Sequence, residues 1–165
     1  TLNPVEEDEF IDKDINIRDY LHEIISSFKE ISKKEFVFNF DQDSNPKKIS
    51  KSIEIVYGLR NFIGNANKFA KNSIFINLKS DSEFTELTIE DDGNGYPRDI
   101  ISKIGEPYLK SNYSKDKSKE GLGLGLFIGK TLLEKNFASV NCRNSKTRSG
   151  AEVIIRWKNK ELFNI

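Results

Sequence analysis

The chain has 165 residues, of which 36% are hydrophobic and 11% aromatic, and these values fit one globular domain with an ordinary core. Its 26 basic and 26 acidic residues cancel, which argues against binding of nucleic acid or an anionic membrane through bulk charge. The single cysteine, Cys142, excludes an internal disulfide framework and suits a reducing cytosol. No apolar run approaches the roughly 20 residues of a membrane span, and the first residues lack a signal-peptide pattern.

The first half of the chain predicts two helices and three strands. Residues 1–14 are acidic and lack apolar periodicity, so we expect a tail or linker remnant there. A helical stripe starts at Ile17, with Asp14 or Asn16 available as its cap. "EFVFNF" alternates as a strand and "DQDSNPKK" is typical of a loop, before a long helix predicted from about Ile49 to Ala70. "SIFINLKS" and "FTELTIEDD" then indicate neighbouring strands joined by a polar turn.

The second half opens with a long stretch, 93–121, that predicts at most a short helix near Asp99 to Lys103. A loop this long in a compact domain often marks a functional lid. "LGLFIGKTLLEKN" returns to helix, "ASVNCRN" and "GAEVIIRW" predict the closing strands, and 161–165 are expected to form a C-terminal tail. The pattern predicts a single α+β domain over 15–160. It would be a two-layer sandwich in which a mixed, mostly antiparallel sheet carries a helix layer on one face.

The predicted long helix carries a polar stripe beside its apolar one. Asn61, Asn65 and Lys68 follow at steps of four and three residues, so their side chains share one face. An asparagine oxygen is a hard ligand of the kind Mg²⁺ takes together with phosphates and water, and a lysine neutralises phosphate. Taken alone, the same stripe also fits a merely solvated face.

Two glycine segments are candidates for ligand binding. In "IEDDGNGYP", Gly93 and Gly95 suit a tight turn with close backbone approach, and Asp91 or Asp92 could accept a hydrogen bond from an exocyclic amine such as that of adenine. "GLGLGLFIGKT" fits neither the P-loop nor the dinucleotide spacing, but a bare helix start offers N–H groups to an anion. An ordinary Asp-Gly turn and a glycine-rich hinge are the alternatives.

The three segments, in this order and spacing, resemble the catalytic ATP-binding domain of sensor histidine kinases. That domain belongs to the superfamily that includes gyrase, Hsp90 and MutL. "RNFIGNANKFA" resembles the N box, "DDGNGYP" the first glycine box, "GEPYLKS" the F box, "GLGLGL" the second glycine box and "SGAEV" a weaker final glycine element. The resemblance covers about Ile17 to Lys158. "GEPYLKS" and "GLRNFIGNA" look similar to the redox-responsive RegB/PrrB type.

The resemblance implies ATP and Mg²⁺ as ligands and assigns roles by position. Asn65 would coordinate Mg²⁺, and Asn61 would support the metal and the phosphates. Lys68 would contact phosphate, and Lys110 would be the basic residue of the lid. The remaining residues implied in nucleotide binding are Phe69, Asp91, Gly93, Gly95, Tyr108, Gly121, Leu122, Gly123, Leu124, Gly125 and Leu126.

The residue at position 61 bears on whether the chain hydrolyses ATP or transfers its phosphate. ATPases of this superfamily carry a general-base glutamate four residues before the metal-binding asparagine. Here that position is Asn61, which takes no proton at neutral pH. The resemblance therefore implies a kinase that presents the γ-phosphate to a histidine on a separate dimerisation domain. His22 in "YLHEIISSF" is rejected as that acceptor, because the usual proline is missing and too few residues separate it from Asn61 for a helical hairpin.

The implied partners are the histidine-bearing domain and a response regulator, with no nucleic acid and no membrane contact by this chain. We expect a monomeric, cytoplasmic domain of a homodimeric inner-membrane sensor. Three alternatives stay open: a serine-protein kinase of the anti-sigma type, a gyrase-type ATPase clamp, and a degenerate module that binds a partner but no nucleotide. Asn61 and the short chain disfavour the clamp, and the retained motifs disfavour the degenerate module.

Overall fold

A computed structural model describes residues 14–41, 47–50, 52–104 and 122–164. In chain order its elements are β1 (Asp14–Asn16), α1 (Ile17–Lys29), β2 (Glu35–Phe40), β3 (Lys48–Ser50), α2 (Ile53–Phe69), β4 (Ser73–Ser80), β5 (Phe84–Asp91), α3 (Arg98–Ile101), α4 (Leu122–Lys135), β6 (Ala138–Asn144), β7 (Ala151–Lys158) and a 3₁₀ helix (Asn159–Asn164). In this part of the chain no helix is both long enough and apolar enough to cross a membrane.

The main sheet has five strands in the order β2-β4-β5-β7-β6. β2 runs parallel to β4, and every other neighbouring pair is antiparallel. The register pairs Ile76 with Ile89 and Leu87 with Ile155, so apolar side chains of successive strands meet on one face. The predicted α+β class with a mixed, mostly antiparallel sheet is confirmed.

The helix layer covers that apolar face. Leu59 and Ile63 of α2 and Leu133 of α4 are fully buried, as is Trp157 of β7 on the sheet side. Burial of such side chains is the main source of stability, at roughly 1.5–3 kcal/mol for each large aliphatic residue. Because α2 and α4 pack against each other over this core, the start of α4 lies beside the polar stripe of α2.

Side-chain caps mark the N-termini of α1 and α2. The Asn16 side chain accepts a hydrogen bond from the backbone N–H of Arg18 at 2.9 Å, so Asn16 and not Asp14 caps α1. The Ser52 hydroxyl accepts one from the N–H of Glu54 at 3.2 Å and starts α2. Each cap satisfies one of the backbone donors that a helix start leaves unpaired.

Three predicted boundaries differ from the structure. The long helix begins at Ile53 instead of Ile49, because Ile49 belongs to β3 and pairs with Ile15 of β1. Asp14 lies in β1 and therefore outside the predicted tail, whose residues 1–13 lie outside the described chain. The expected C-terminal tail starts inside the 3₁₀ helix, where Leu162 is 1% exposed and packs on the core.

Candidate nucleotide-binding site

A cavity of about 140 Å³ opens between α2 and the sheet, next to the carboxyl end of β5. Its walls are largely apolar, with a few polar groups directed inward, which is the usual composition of a small-molecule site. Helix α2 contributes Phe62, Asn65, Ala66 and Phe69. The sheet and the loop after β5 contribute the rest, among them Ile89, Asp91, Asn94, Gly95, Tyr96 and Val153. A larger open groove of about 520 Å³ on the outer sheet face contains none of the motif residues.

Asp91 is the buried carboxylate of this cavity. It ends β5, is 3% exposed, and accepts hydrogen bonds at Oδ1 from the backbone N–H of Gly93 at 2.8 Å and of Ala151 at 3.4 Å. Burial raises the pKa of Asp91, and these two N–H donors oppose the shift. Since both bonds to described residues use Oδ1, Oδ2 is the oxygen that remains for a ligand. The arrangement suits recognition of an amine donor.

Asp92, the alternative candidate, has a different role. Its carboxylate accepts from the backbone N–H groups of Lys71 at 2.8 Å, Asn72 at 3.0 Å and Ser73 at 3.2 Å. Partial burial works against ionisation, but these donors outweigh it and lower the pKa of Asp92. Asp92 thus ties the end of α2 to the start of β4, while Asp91 lines the cavity.

Glycines allow the backbone to pack closely around Asp91 and around the loop that follows it. At Gly150, just before β7, a β-carbon would overlap the carbonyl oxygen of Asp91. Gly95 has φ +77°, a left-handed conformation that favours glycine, and a β-carbon there would lie 2.7 Å from Oδ1 of Asn144. Gly93 contributes its backbone N–H to the Asp91 carboxylate. Gly95 lines the cavity and Gly93 does not, and the role of the first glycine box in shaping the pocket stays a prediction.

The N-box asparagines meet the second glycine box. A β-carbon at Gly125 of α4 would lie 3.5 Å from Nδ2 of Asn65 and 3.6 Å from Oδ1 of Asn61, so these three residues are neighbours. The Asn61 side chain donates to the carbonyl oxygen of Tyr57 at 2.8 Å. Nδ2 of Asn65 is buried and has no hydrogen-bond partner within the described ranges. An orphaned amide at this point fits a side chain whose partner is a bound phosphate–metal group.

Phe69 and Lys68 lie at the end of α2. Phe69 is half-buried on the cavity wall, at the place expected for an aromatic side chain near a base. Lys68 is exposed, and its Nζ lies 5.3 Å from the centroid of the Phe69 ring. Lys68 forms no ion pair with the described residues, and it lies beside Phe69, which is part of the cavity wall.

The glycine-rich start of α4 divides between two environments. Gly123 is buried, Leu124 is 38% exposed, and Gly125 faces the asparagines. Leu126 is fully buried in the hydrophobic core and is not among the described cavity-lining residues. Leu122 has helical backbone, whereas Tyr108, Lys110 and Gly121 lie outside the described residues. Neighbouring residues of a helix point in different directions. Leu126 therefore points into the core, although Gly125 beside it faces the asparagines.

Sequence reasoning missed two contributors. Tyr96 lines the cavity, and the Asn144 side chain bonds to both polar groups of the Tyr96 backbone. No motif marks Asn144, because an asparagine at the end of a strand has the pattern of any turn residue. His22 lies elsewhere, on α1, where its ring packs edge-on against Phe38 at 4.8 Å.

The fold, with the N box placed between the cavity of Asp91 and the second glycine box, is the one expected of the catalytic domains of histidine kinases. The chain matches the family described as Histidine kinase-, DNA gyrase B-, and HSP90-like ATPase over residues 50–161. It belongs to this family, and the family assignment from the sequence motifs is confirmed.

Among curated proteins, the chain is similar to the sensor histidine kinase RegB of Cereibacter sphaeroides, with 39% identity over 97 residues. It is also similar to the sensor protein SrrB of Staphylococcus aureus, with 30% identity over 100 residues. These matches cover 56% and 59% of this chain, but only 21% of RegB and 17% of SrrB. The chain thus spans about a fifth of the length of these relatives.

Two solved structures show the same fold. The catalytic domain of the histidine kinase ThkA superposes with a TM-score of 0.72 at 20% identity, covering 88% of this chain and 96% of that one. Full-length ShkA in complex with AMPPNP superposes with a TM-score of 0.70 at 18% identity, covering 87% of this chain and 30% of ShkA. At these identities the likeness concerns the fold.

Proposed function

We propose that this chain is the ATP-binding catalytic domain of a sensor histidine kinase, which presents the γ-phosphate of ATP to a histidine on another domain. One observation carries the proposal: the buried Asp91 carboxylate faces a cavity whose opposite wall contains the orphaned amide of Asn65. A nucleotide with its base at Asp91 would direct its phosphates toward the start of α4. The complex of ShkA with AMPPNP supports a nucleotide ligand for this fold.

The residues present fit a bound Mg²⁺. Asn65 would hold the ion through its side-chain oxygen, Asn61 lies beside it, and Lys68 would complement the phosphates. When bound, Mg²⁺ supplies charge neutralisation of the triphosphate. The chain itself contributes the polar stripe of α2, which orients the phosphates, and the bare backbone of α4 near Gly125, which leaves room for them.

We favour phosphoryl transfer over hydrolysis because the described residues of the site include no free base that could activate water. Asp91 is the one carboxylate among the described lining residues, and it is buried and bonded to Gly93 and Ala151. The Asn61 amide has no proton-accepting group at neutral pH. We therefore expect slow ATP hydrolysis by this chain and no phosphorylation of His22, which packs on β2.

The acceptor domain has a candidate docking surface next to the asparagines. Ile53 and Tyr57 on α2 are 74% and 59% exposed, and Leu124 and Ile128 on α4 are 38% and 36% exposed. Helices α2 and α4 run side by side here, since Glu54 and Lys135 form an ion pair at 3.1 Å and Gly125 faces Asn61. We propose that an apolar helical face of the histidine-bearing domain, in the part of the longer protein beyond this chain, covers this surface.

The remaining proposals are based on the similarity to sensor histidine kinases. A response regulator would take the phosphoryl group from the acceptor histidine, as expected for two-component sensors. The domain would work in the cytoplasm, attached to an inner-membrane sensor that dimerises through its helices. The chain itself would be a monomer. Mg²⁺ coordination by Asn65 and the roles of Tyr108 and Lys110 in the lid belong to this proposal as well.

A calorimetric titration with a non-hydrolysable ATP analogue tests the proposal. Wild-type protein should bind the analogue more tightly with Mg²⁺ than without it, and Asp91→Asn should lose most of the affinity. Glu83→Gln, at an exposed residue of the turn between β4 and β5, is the control and should bind as the wild type does. A folded wild type that binds no analogue would contradict the proposal and favour a module that interacts with a partner but not with nucleotide.

A further inference from the structure

The β6–β7 hairpin contacts the loop that follows β5 at several points beside the cavity. Asn144, the last residue of β6, accepts a hydrogen bond at Oδ1 from the backbone N–H of Tyr96 at 2.6 Å. Its Nδ2 donates to the carbonyl oxygen of the same residue at 3.1 Å. On the other side of the hairpin, the Ser149 hydroxyl donates to the carbonyl oxygen of Gly93 at 3.3 Å. The hairpin therefore holds the loop by its backbone.

This loop is the wall of the cavity that has no helix or strand. Gly95 and Tyr96 both line it, and Gly95 has the left-handed φ of +77° in a chain segment without helix or strand. Glycine loses more conformational freedom on ordering than other residues. A loop of this kind keeps one shape only when neighbouring groups fix its backbone. At Tyr96 the Asn144 amide satisfies both the donor and the acceptor.

The Asn144 side chain also limits the position of Gly95. Its Oδ1 lies 2.7 Å from the place where a β-carbon of Gly95 would be. Asn144 is not among the cavity-lining residues, so it acts on a ligand only through the loop. Asn141 has an exposed side chain and lies three residues before Asn144 on the same strand. Because side chains alternate along a strand, Asn141 faces the other side of the sheet.

We infer that Asn144 is a positioning residue for the nucleotide, which fixes the Gly95–Tyr96 backbone in the shape that accepts the base beside Asp91. The inference deepens the proposed function and rests on it. Without the Asn144 amide, the loop samples other conformations, and the nucleotide must then order it on binding. The expected consequence is weaker nucleotide binding by a domain that keeps its fold.

The test compares Asn144→Ala with Asn141→Ala in the same chain. Titration with a non-hydrolysable ATP analogue and Mg²⁺ should show roughly tenfold weaker binding for Asn144→Ala, which loses both hydrogen bonds to the Tyr96 backbone. Asn141→Ala should bind as the wild type does. Amide hydrogen exchange supplies a readout that a general loss of stability would not reproduce. Exchange should accelerate at Tyr96 in Asn144→Ala, while the paired amides of Ile89 and Ile155 keep their protection.

The outcomes distinguish the role of Asn144 from the proposed nucleotide binding. Unchanged affinity in a folded Asn144→Ala, with a wild type that binds, would overturn this inference and leave the proposed function intact. No binding by the wild type would overturn both. If Asn144→Ala fails to fold, Asn144→Asp replaces it, because aspartate keeps the size and the acceptor for Tyr96 N–H. The Asp variant loses the donor to Tyr96 O, so it should also bind more weakly, and wild-type affinity there would contradict the inference.

Discussion

The side-chain ammonium of Lys34 donates a hydrogen bond to the main-chain carbonyl oxygen of Asn67, in the last turn of α2. It also donates to the carbonyl oxygen of Lys68 at 3.2 Å. The final carbonyl groups of a helix have no partner within the helix and carry partial negative charge. A half-buried lysine just before β2 thus closes the end of the helix that contains the candidate metal and phosphate ligands.

Lys34→Met should therefore destabilise the domain. Loss of the two hydrogen bonds and of the favourable charge should lower the free energy of unfolding by about 1–2 kcal/mol. Urea unfolding followed by the fluorescence of Trp157, the one tryptophan of the chain, gives this value. Lys33→Met, at the exposed neighbouring residue, is the control and should change it little. Equal effects of the two substitutions would contradict the capping role.

Asp91→Asn should separate stability from binding. Burial raises the pKa of Asp91 in the folded protein, so the native carboxyl holds its proton more tightly than the unfolded one. Stability contributed by this group is present below the unfolded pKa and is lost as pH rises through the folded pKa. Asparagine avoids that loss and keeps an acceptor for Gly93 N–H, so at pH 7 the variant should be at least as stable as the wild type.

The measurement is thermal unfolding of both proteins across the acidic range. The advantage of Asp91→Asn should shrink as pH falls, because the wild-type carboxyl then becomes neutral as well. An advantage that is independent of pH would show that burial of the charge is not its cause. The nucleotide titration on the same samples should show lost affinity throughout.

Asp92→Ala should show the opposite pH dependence. The pKa of Asp92 is lowered, because its three backbone donors outweigh the effect of partial burial, so its stabilisation is present above the unfolded pKa and is lost as pH falls through the folded pKa. At pH 7 the variant should lose about 1–2 kcal/mol, as expected for hydrogen bonds to a charged group. Denaturant titrations at pH 7 and below pH 3 test this. Glu83→Ala, at an exposed residue, is the control.

Two glycine substitutions should have different effects on the stability of the domain. Gly150→Ala places a β-carbon onto the carbonyl oxygen of Asp91, which requires backbone movement and should cost more than about 2 kcal/mol. Gly125→Ala meets its neighbours at 3.5 Å or more, an ordinary contact, and alanine favours a helix by about 1 kcal/mol over glycine. Thermal unfolding should therefore show a lower Tm for the first and an equal or higher Tm for the second. A stable Gly150→Ala would show that the backbone at Asp91 can yield.

The parts of the site that follow local periodicity could be predicted from the sequence. Asn61 and Asn65 share a helix face because they are four residues apart, and the structure brings both to Gly125. The parts that depend on contacts between residues far apart in the sequence could not be predicted. Ile49 continues an apolar pattern that resembles the helix after it, and it pairs with Ile15 of β1, a three-residue strand that has no strand pattern in the sequence.

The choice between Asp91 and Asp92 depends on local periodicity as well. The two carboxylates are adjacent and identical in type, and only the alternation of the strand, with Asp91 on the covered face, distinguishes them. Leu126 shows the reverse case, in which a motif position expected at the nucleotide is occupied by a core residue. Tyr108, Lys110 and Gly121 stay predictions, because they lie outside the described residues.

The hydrogen bond from Ala151 to Asp91 spans 60 positions of the chain, and it has a consequence for biosynthesis. During synthesis, α2 and β5 leave the ribosome well before β7. A nascent chain can form the helix with its asparagines early, but its cavity lacks a wall until Ala151 and Val153 arrive. For the proposed nucleotide site, we therefore expect no binding until the last strand of the sheet has been translated.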